Sequence, residues 1–576
     1  MKKSYLFILP LIISITVLFC RNNKKEAENI PVFRMDSVAF SIALNAAINS
    51  KDSADQSFYN QIYIPKAFSS FWFNNIYAFT ERTGLLNSFL EKSAEHGINP
   101  ALFQTDDLRD LINKTDTTKL NYSQLAELEL SLTKNYYHYA AGLQYGVFNP
   151  VELYPDDYFI VPQRPDSAFI RQIFSNPDSL SVYLVNAQPN GKEYKALQTE
   201  LKKLKSLKDS TFTPIPLLSD KSQLKFGKNY SSIPLIARRL MITGELPFNS
   251  KYDSIYTKFD EKILKSLNRF RKKYNLLQDK EIGNPTIMML NTDFETQYKI
   301  VAANLERLRW KPVKPISNKY VHVNLADMTL RTMRGDTLVQ TMRVCVGEPP
   351  KHKTPLLYGK MYEVVVNPNW TVPNSIIINE ISRKMVNNPS YLRRNNMKVY
   401  KNREEVSEYA VSWSSLSNKY QPYVIVQDAG PDNSLGRIKF NFSNPFNVYL
   451  HDTNAKSVFQ RHYRAVSHGC VRVEKPLELA YFCLHDVDTT DTEQIEKRAN
   501  LKKQILFSIG KISIPKTHKD SIQNASIMKK LSRVELNPGV TVILDYRTCY
   551  TDNTGNIQFC NDHYKMDSLL IAKLKP

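Results

Sequence analysis

From about residue 318 the apolar residues fall on alternate positions, and this change of period constrains the fold more than any other feature of the chain. Tyr320-Val321-His322-Val323-Asn324-Leu325, Leu338 to Val346, Met361 to Val366, Tyr423 to Val426 and Arg437 to Phe442 read as strands separated by turn residues. The pattern predicts a β-rich sandwich or partly open barrel over 318–515. Between Ser375 and about Gln421 it becomes helical and polar. That interruption, 375–421, reads as a helical lid inserted into the β-domain, with a passive surface excursion as the alternative.

The upstream chain has a different period. Leu85, Leu86, Phe89 and Leu90 recur at helical spacing before Gly97 and Pro100, and Leu125, Leu128, Leu132 and Tyr136 do so further on. Residues 30–245 therefore read as mainly helical, with His96 and His138 as packing or surface residues. A smaller helical unit over 250–300 carries Phe259, Leu264, Leu267 and Phe270. With 576 residues the chain exceeds what one core organises, and a multidomain α+β architecture is expected. Residues 516–576 read as an extension packed on the β-domain. There Cys549 and Cys560 flank a predicted hairpin with Thr554-Gly555 at its tip, and counting outward pairs the two cysteines in a cross-strand disulfide.

Chemistry concentrates in Ser467-His468-Gly469-Cys470-Val471-Arg472 and the upstream His451-Asp452-Thr453-Asn454. A thiol is mostly protonated at neutral pH, so a nucleophilic Cys470 needs a base or cation beside it. His451 ends the alternation Phe446 to Leu450, and Cys470 opens a second strand. Neighbouring strands in one sheet would bring the pair within reach. His468, two residues from the thiol, is the weaker base and lines the site. Gly469 permits a tight turn and a close approach of amides to an oxyanion. Cys345 and Cys483, with apolar neighbours, read as small buried hydrophobes. A zinc site from His451, His468 and Cys470 and a papain-type protease are alternatives. Neither a metal-ligand spacing nor the papain signature accompanies them.

The hexapeptide and the upstream His451-Asp452-Thr453 resemble the catalytic motif of bacterial L,D-transpeptidases, which cross-link peptidoglycan through a cysteine acyl-enzyme. Asn367-Pro368-Asn369-Trp370-Thr371-Val372-Pro373, the segment Gln427 to Phe440, and Asn304 to Trp310 resemble the large multidomain branch of that family. The resemblance implies Cys470 as nucleophile, His451 as proton acceptor and donor oriented by the Asp452 carbonyl, and an oxyanion hole at the amides of Gly469 and Cys470. Arg472 would position a substrate carboxylate, an ordinary strand ion pair being its alternative. Tyr449, Trp370 and Ser467 would flank the peptide stem, although strand aromatics are also core residues. It further implies that 30–245 is a scaffold domain and 250–300 a three-helix peptidoglycan-binding-like domain. Thioester formation on a tetrapeptide donor stem, transfer to an acceptor amine to give a 3→3 cross-link, and acylation of Cys470 by carbapenems also follow. No cofactor or metal is implied. The alternatives are an L,D-carboxypeptidase or anchoring transferase using the same cysteine, or a catalytically idle wall-binding scaffold.

Lys2 and Lys3 precede an apolar run from Tyr5 to Phe19, too short to cross a bilayer comfortably, so residues 1–20 read as a signal peptide or membrane anchor. Cys20 resembles the lipidation cysteine of bacterial lipoproteins. An exported protein on the periplasmic face, tethered to a membrane through its N-terminus, is expected. The formal charge of +21 fits carboxylate-bearing wall polymers or anionic lipid surfaces better than nucleic acid, since the lysines are scattered and form no basic helix.

Overall fold

The computed structural model describes residues 35–73, 81–103, 110, 121–207, 212–219, 222–486, 488–513 and 529–574. The leader, Cys20 and the start of the 516–576 extension lie outside them. Among the described residues no helix is long and apolar enough to cross a membrane. The chain divides into two compact units, one of residues 1–87, 106–135 and 170–181, the other of 88–105, 136–169 and 182–576.

In the first unit the helices Ser37–Asn49 and Ser53–Tyr63 start on Asp36 and Asp52, whose carboxylates each accept from two first-turn amides. Their apolar faces bury Phe40, Leu44, Tyr59 and Ile62. The buried Glu129 carboxylate accepts from Tyr63 Oη at 2.9 Å, Ser70 Oγ at 2.7 Å and the Phe71 amide at 2.7 Å. Burial raises its pKa against the pull of those hydrogen bonds.

The helical part of the second unit contains Lys192–Leu207, Ile233–Thr243, Glu261–Lys273, Asn284–Leu290 and Phe294–Arg309. A short ladder joins β1 (Leu224–Lys225) to β2 (Glu281–Ile282). Leu197, Leu240, Phe259, Leu267, Phe270 and Leu305 share one core with Cys549 and Phe559 from the C-terminal hairpin. The 250–300 segment thus buries its apolar face against elements on both sides of it in sequence. Three short helices alone expose too much apolar surface to close a core. Arg271 within this segment is buried and donates to the Asp279 and Glu281 carbonyls.

The β-domain contains β3 (Lys319–Asn324), β4 (Thr329–Arg334), β5 (Thr337–Gly347) and β6 (Leu357–Val366). After an insertion it continues with five further strands. The insertion holds β7 (Trp370–Thr371), β8 (Met397–Lys401), β9 (Glu404–Val406) and β10 (Tyr423–Gln427), ordered β7-β10-β8-β9. Its helical turns run from Asn374 to Arg394. Ile377, Ile381, Leu392, Val399 and Ile425 form a core of its own. The insertion is therefore a mixed α/β subdomain where a helical lid was expected. Its strands are short and bury one face, so Met397 and Val399 carry little period of their own in a polar run.

The remaining strands are β11 (Ile438–Phe442), β12 (Leu450–His451), β13 (Ala465–Ser467), β14 (Val471–Val473) and β15 (Arg533–Asp545). The nine-stranded order is β13-β5-β14-β12-β11-β6-β15-β3-β4, and β4 pairs back onto β5. That last pairing closes a ring, where a sandwich or a partly open barrel was expected. Val323, Val344, Val364, Phe440, Leu450, Val471 and Val542 fill one core. β15 lies between β6 and β3, antiparallel to the first and parallel to the second. The C-terminal segment therefore supplies a central strand rather than an extension packed on the outside. Val540 to Leu544 is buried throughout, and a strand buried on both faces loses the alternation by which it would be recognised.

The C-terminal hairpin pairs β16 (Cys549–Thr551) with β17 (Ile557–Phe559). Cys549 faces Phe559, one residue short of the expected partner, and both Cys549 and Cys560 are free thiols. The predicted disulfide is corrected by the turn. Asp552 and Asn556 close it, with Gly555 at φ +84°, so its centre is Thr554 and the register moves by one.

Candidate active site

β12 and β14 run parallel, with Leu450 opposite Val471 and His451 opposite Arg472. Because strand side chains alternate, Leu450, Val471 and Val473 enter the core while Tyr449, His451, Cys470 and Arg472 share the other face. That face forms the floor of a cleft of about 250 Å³. Trp370, Ser467 and His468 also line it, as do Glu380, Lys384, Tyr391 and Gln427 from the inserted subdomain.

His451 is 5% exposed, and its Nδ1 donates to the Asp452 carbonyl at 2.5 Å. That bond places the acceptor lone pair of the neutral imidazole on Nε2. Burial, with the Arg472 cation nearby, pulls its pKa down to about 3. The Asp452 carboxylate is itself fixed: it accepts from the Arg437 amide and the Thr453 amide and pairs with Lys456. Gly436 makes room for it, since a Cβ there would lie within 2.6 Å of the Asp452 side chain.

The Cys470 thiol is half-buried and points toward the Asn447 carbonyl, 3.9 Å away. Burial pushes its pKa up, against hydrogen bonds from Tyr449 and the cations of Lys439 and Arg472. Burial thus disfavours the charged form of the thiol and of the imidazole alike. Lys439, register partner of His451, sets its ammonium 4.1 Å over the Tyr449 ring.

The loop before the thiol is held by named bonds. Ser467 Oγ donates to the Cys470 carbonyl at 2.6 Å and accepts from the Gly469 amide at 3.2 Å. Thr354 Oγ1 donates to the Gly469 carbonyl at 2.8 Å. Gly469 itself adopts φ +112°, a left-handed conformation that favours glycine. Its amide is thus spent on Ser467, whereas no group among the described residues takes up the Cys470 amide. Of the two amides expected to face an oxyanion, only that of Cys470 is free to do so.

Every side chain singled out from the sequence, namely Cys470, His451, His468, Arg472, Tyr449, Trp370 and Ser467, lines the one cleft. Gly469 shapes the loop behind it. Among the described residues no carboxylate pairs with Arg472, and no cluster of three His, Cys, Asp or Glu is placed to hold a metal ion. Cys345 and Cys483 are buried, as expected of packing thiols. Sequence reasoning missed Lys439, Thr354 and Glu380. Lys439 sat at the correct parity on a predicted strand, a signal that was available. Glu380 and Thr354 lie in segments where no pattern distinguishes them.

A ring-closed β-domain with one thiol and two imidazoles in its cleft has a counterpart among known families. The L,D-transpeptidase catalytic domain (YkuD) matches residues 318–496, and the Scaffold domain matches 57–201. Residues 318–496 are an L,D-transpeptidase catalytic domain, carried in a multidomain chain with a helical scaffold domain before it. A Haemophilus influenzae protein provisionally named an L,D-transpeptidase is 37% identical over 195 residues, which cover 34% of this chain and 39% of that protein. The chain thus spans about two-fifths of the length of this curated relative. An L,D-transpeptidase structure from Mycobacterium smegmatis is 14% identical, with a TM-score of 0.17, over 30% of this chain and 56% of the other. One from Xylanimonas cellulosilytica is also 14% identical, with a TM-score of 0.13, over 44% and 88%.

Proposed function

We propose that this protein is a cysteine-dependent L,D-transpeptidase acting on peptidoglycan stem peptides. The observation that carries the reading is the shared cleft of Cys470 and His451, with Nδ1 of the imidazole tied to the Asp452 carbonyl so that Nε2 is the accepting atom. Nε2 takes the thiol proton as Sγ attacks the carbonyl of the third stem residue, and the Cys470 amide donates to the oxyanion. The tetrahedral intermediate collapses to a thioester as His451 returns its proton to the departing amine of the terminal D-amino acid. An amine from a neighbouring stem then attacks the thioester, giving a 3→3 cross-link and regenerating the thiol. Arg472 supplies a planar, permanently charged fork for a stem carboxylate, while Trp370, Tyr449 and Ser467 flank the peptide.

The substrate lies outside the cytoplasm, so the reading includes export and attachment to a membrane by the basic, apolar N-terminus. The cationic surface suits an anionic wall polymer. Incubating the purified protein with defined tetrapeptide stems tests the reaction. Mass spectrometry should find a thioester on Cys470, release of the terminal residue and a cross-linked dimer. Dimer formed equally well by Cys470→Ala would refute it.

A further inference from the structure

Transfer to an amine leaves a proton that the thiol and His451 do not dispose of. An alkyl amine with an ordinary pKa of about 10 arrives as an ammonium ion at neutral pH. Reaction of that ammonium with the thioester forms a C–N bond, breaks the C–S bond, and yields amide, thiol and one further proton. His451 returns one proton to Sγ. The other must leave the ammonium before its nitrogen can attack, which calls for a second base at the cleft with access to water.

On the transpeptidase reading, we propose that Glu380 and His468 form the acceptor site, Glu380 binding the incoming ammonium group and His468 taking its surplus proton. Glu380 is the one carboxylate among the described residues that line the cleft; the other charged lining side chains include the cations Lys384 and Arg472. Lys384 is already paired with Glu380, whereas Arg472 has no carboxylate partner among the described residues and so attracts stem carboxylates and repels an ammonium ion. Glu380 accepts from His468 Nε2–H, so the neutral ring keeps its lone pair on Nδ1 to take the proton, and His468 stands two residues from the nucleophile. The pair is open to water, with side-chain exposures of 35% and 40%. His451, at 5%, is not. The surplus proton therefore has a route to solvent from His468 and none from His451.

The remaining surroundings fit this division. Lys384 Nζ is 3.7 Å from Glu380, a pairing that an incoming ammonium would share, and the His352 ring lies tilted against His468 with centroids 4.7 Å apart. Glu380 sits in the π-helical stretch Ile377–Ile381, a local widening that recurs at functional positions. An ammonium ion entering the cleft shares the carboxylate that now faces His468, a charge-assisted contact on each side.

The test separates the two half-reactions of the full-length protein. Acyl-enzyme is formed with a tetrapeptide donor, and its partition is followed by mass spectrometry with either a stem peptide bearing a side-chain amine or trifluoroethylamine, which is unprotonated at neutral pH. For Glu380→Gln and His468→Gln, the ratio of aminolysis to acylation with the stem peptide should fall about 10²-fold, the scale of a lost general base. Trifluoroethylamine should restore the wild-type ratio. An undiminished ratio, or an equal loss with both amines, would overturn the proposal. Failure of the wild-type protein to form any acyl-enzyme would instead remove the transpeptidase reading on which it rests.

Discussion

The Thr354 hydroxyl donates to the Gly469 carbonyl at 2.8 Å and accepts from the Gly347 amide at 2.9 Å, binding the end of β5 to the residue before the nucleophile. Tyr564 completes the brace: its hydroxyl donates to the Gly347 carbonyl at 2.8 Å and accepts from the Thr354 amide at 3.0 Å. All four bonds are buried. Thr354→Val should cost about 1–3 kcal/mol by leaving buried partners unsatisfied. Denaturant unfolding measures that loss. Slower alkylation of Cys470 by iodoacetamide in the folded variant would report the misplaced loop.

Gly436→Ala should damage stability and activity together. Gly436 adopts φ +62°, and its missing side chain makes room for Asp452. An alanine adds left-handed strain of about 1–2 kcal/mol and pushes on the residue whose carbonyl orients His451. A lower melting temperature with slower acylation is expected. Wild-type values for both would show that the Asp452 backbone tolerates the displacement.

Stability should fall on acidification. Burial holds His451 and His96 down at about 3, against 6.5 for an unperturbed imidazole. Above pH 6.5 both are neutral whether the chain is folded or unfolded, and neither changes the balance. Between 6.5 and 3 only the unfolded chain takes up their protons, so each costs about 1.4 kcal/mol per pH unit. Urea midpoints measured from pH 7 to 4 should decline, and His96→Gln should flatten the decline. An identical slope in that variant would show that His96 titrates normally in the fold.

Removing residues 514–576 should abolish the folded catalytic domain, although the family match ends at 496. β15 pairs with both β6 and β3, and its loss would leave two unpaired edges and open the ring. A soluble 318–513 fragment with native near-ultraviolet circular dichroism would contradict this.

The sequence made the β-domain legible because strands with one solvent-facing side alternate, as Ile438 to Phe442 does. It made the site legible because Cys470 and His451 lie at the same parity on paired strands, with glycine and serine marking the loop between. β15 escaped because burial on both faces erases alternation, and the strands of the insertion because they are short. The cysteine pairing failed on turn geometry, which a single left-handed glycine shifts by one register. Glu380 and Thr354 reach the site from segments distant in sequence, and such contacts follow only from the closed fold.

The central claim, that the Cys470 sulfur is an attacking atom served by the His451 imidazole, is tested most directly by intact-protein mass spectrometry after carbapenem treatment. The account predicts one covalent adduct on the wild-type protein, none on Cys470→Ala, and formation slowed by about 10²–10⁴-fold in His451→Ala. No adduct on the wild-type protein, or the same adduct on Cys470→Ala, would contradict it.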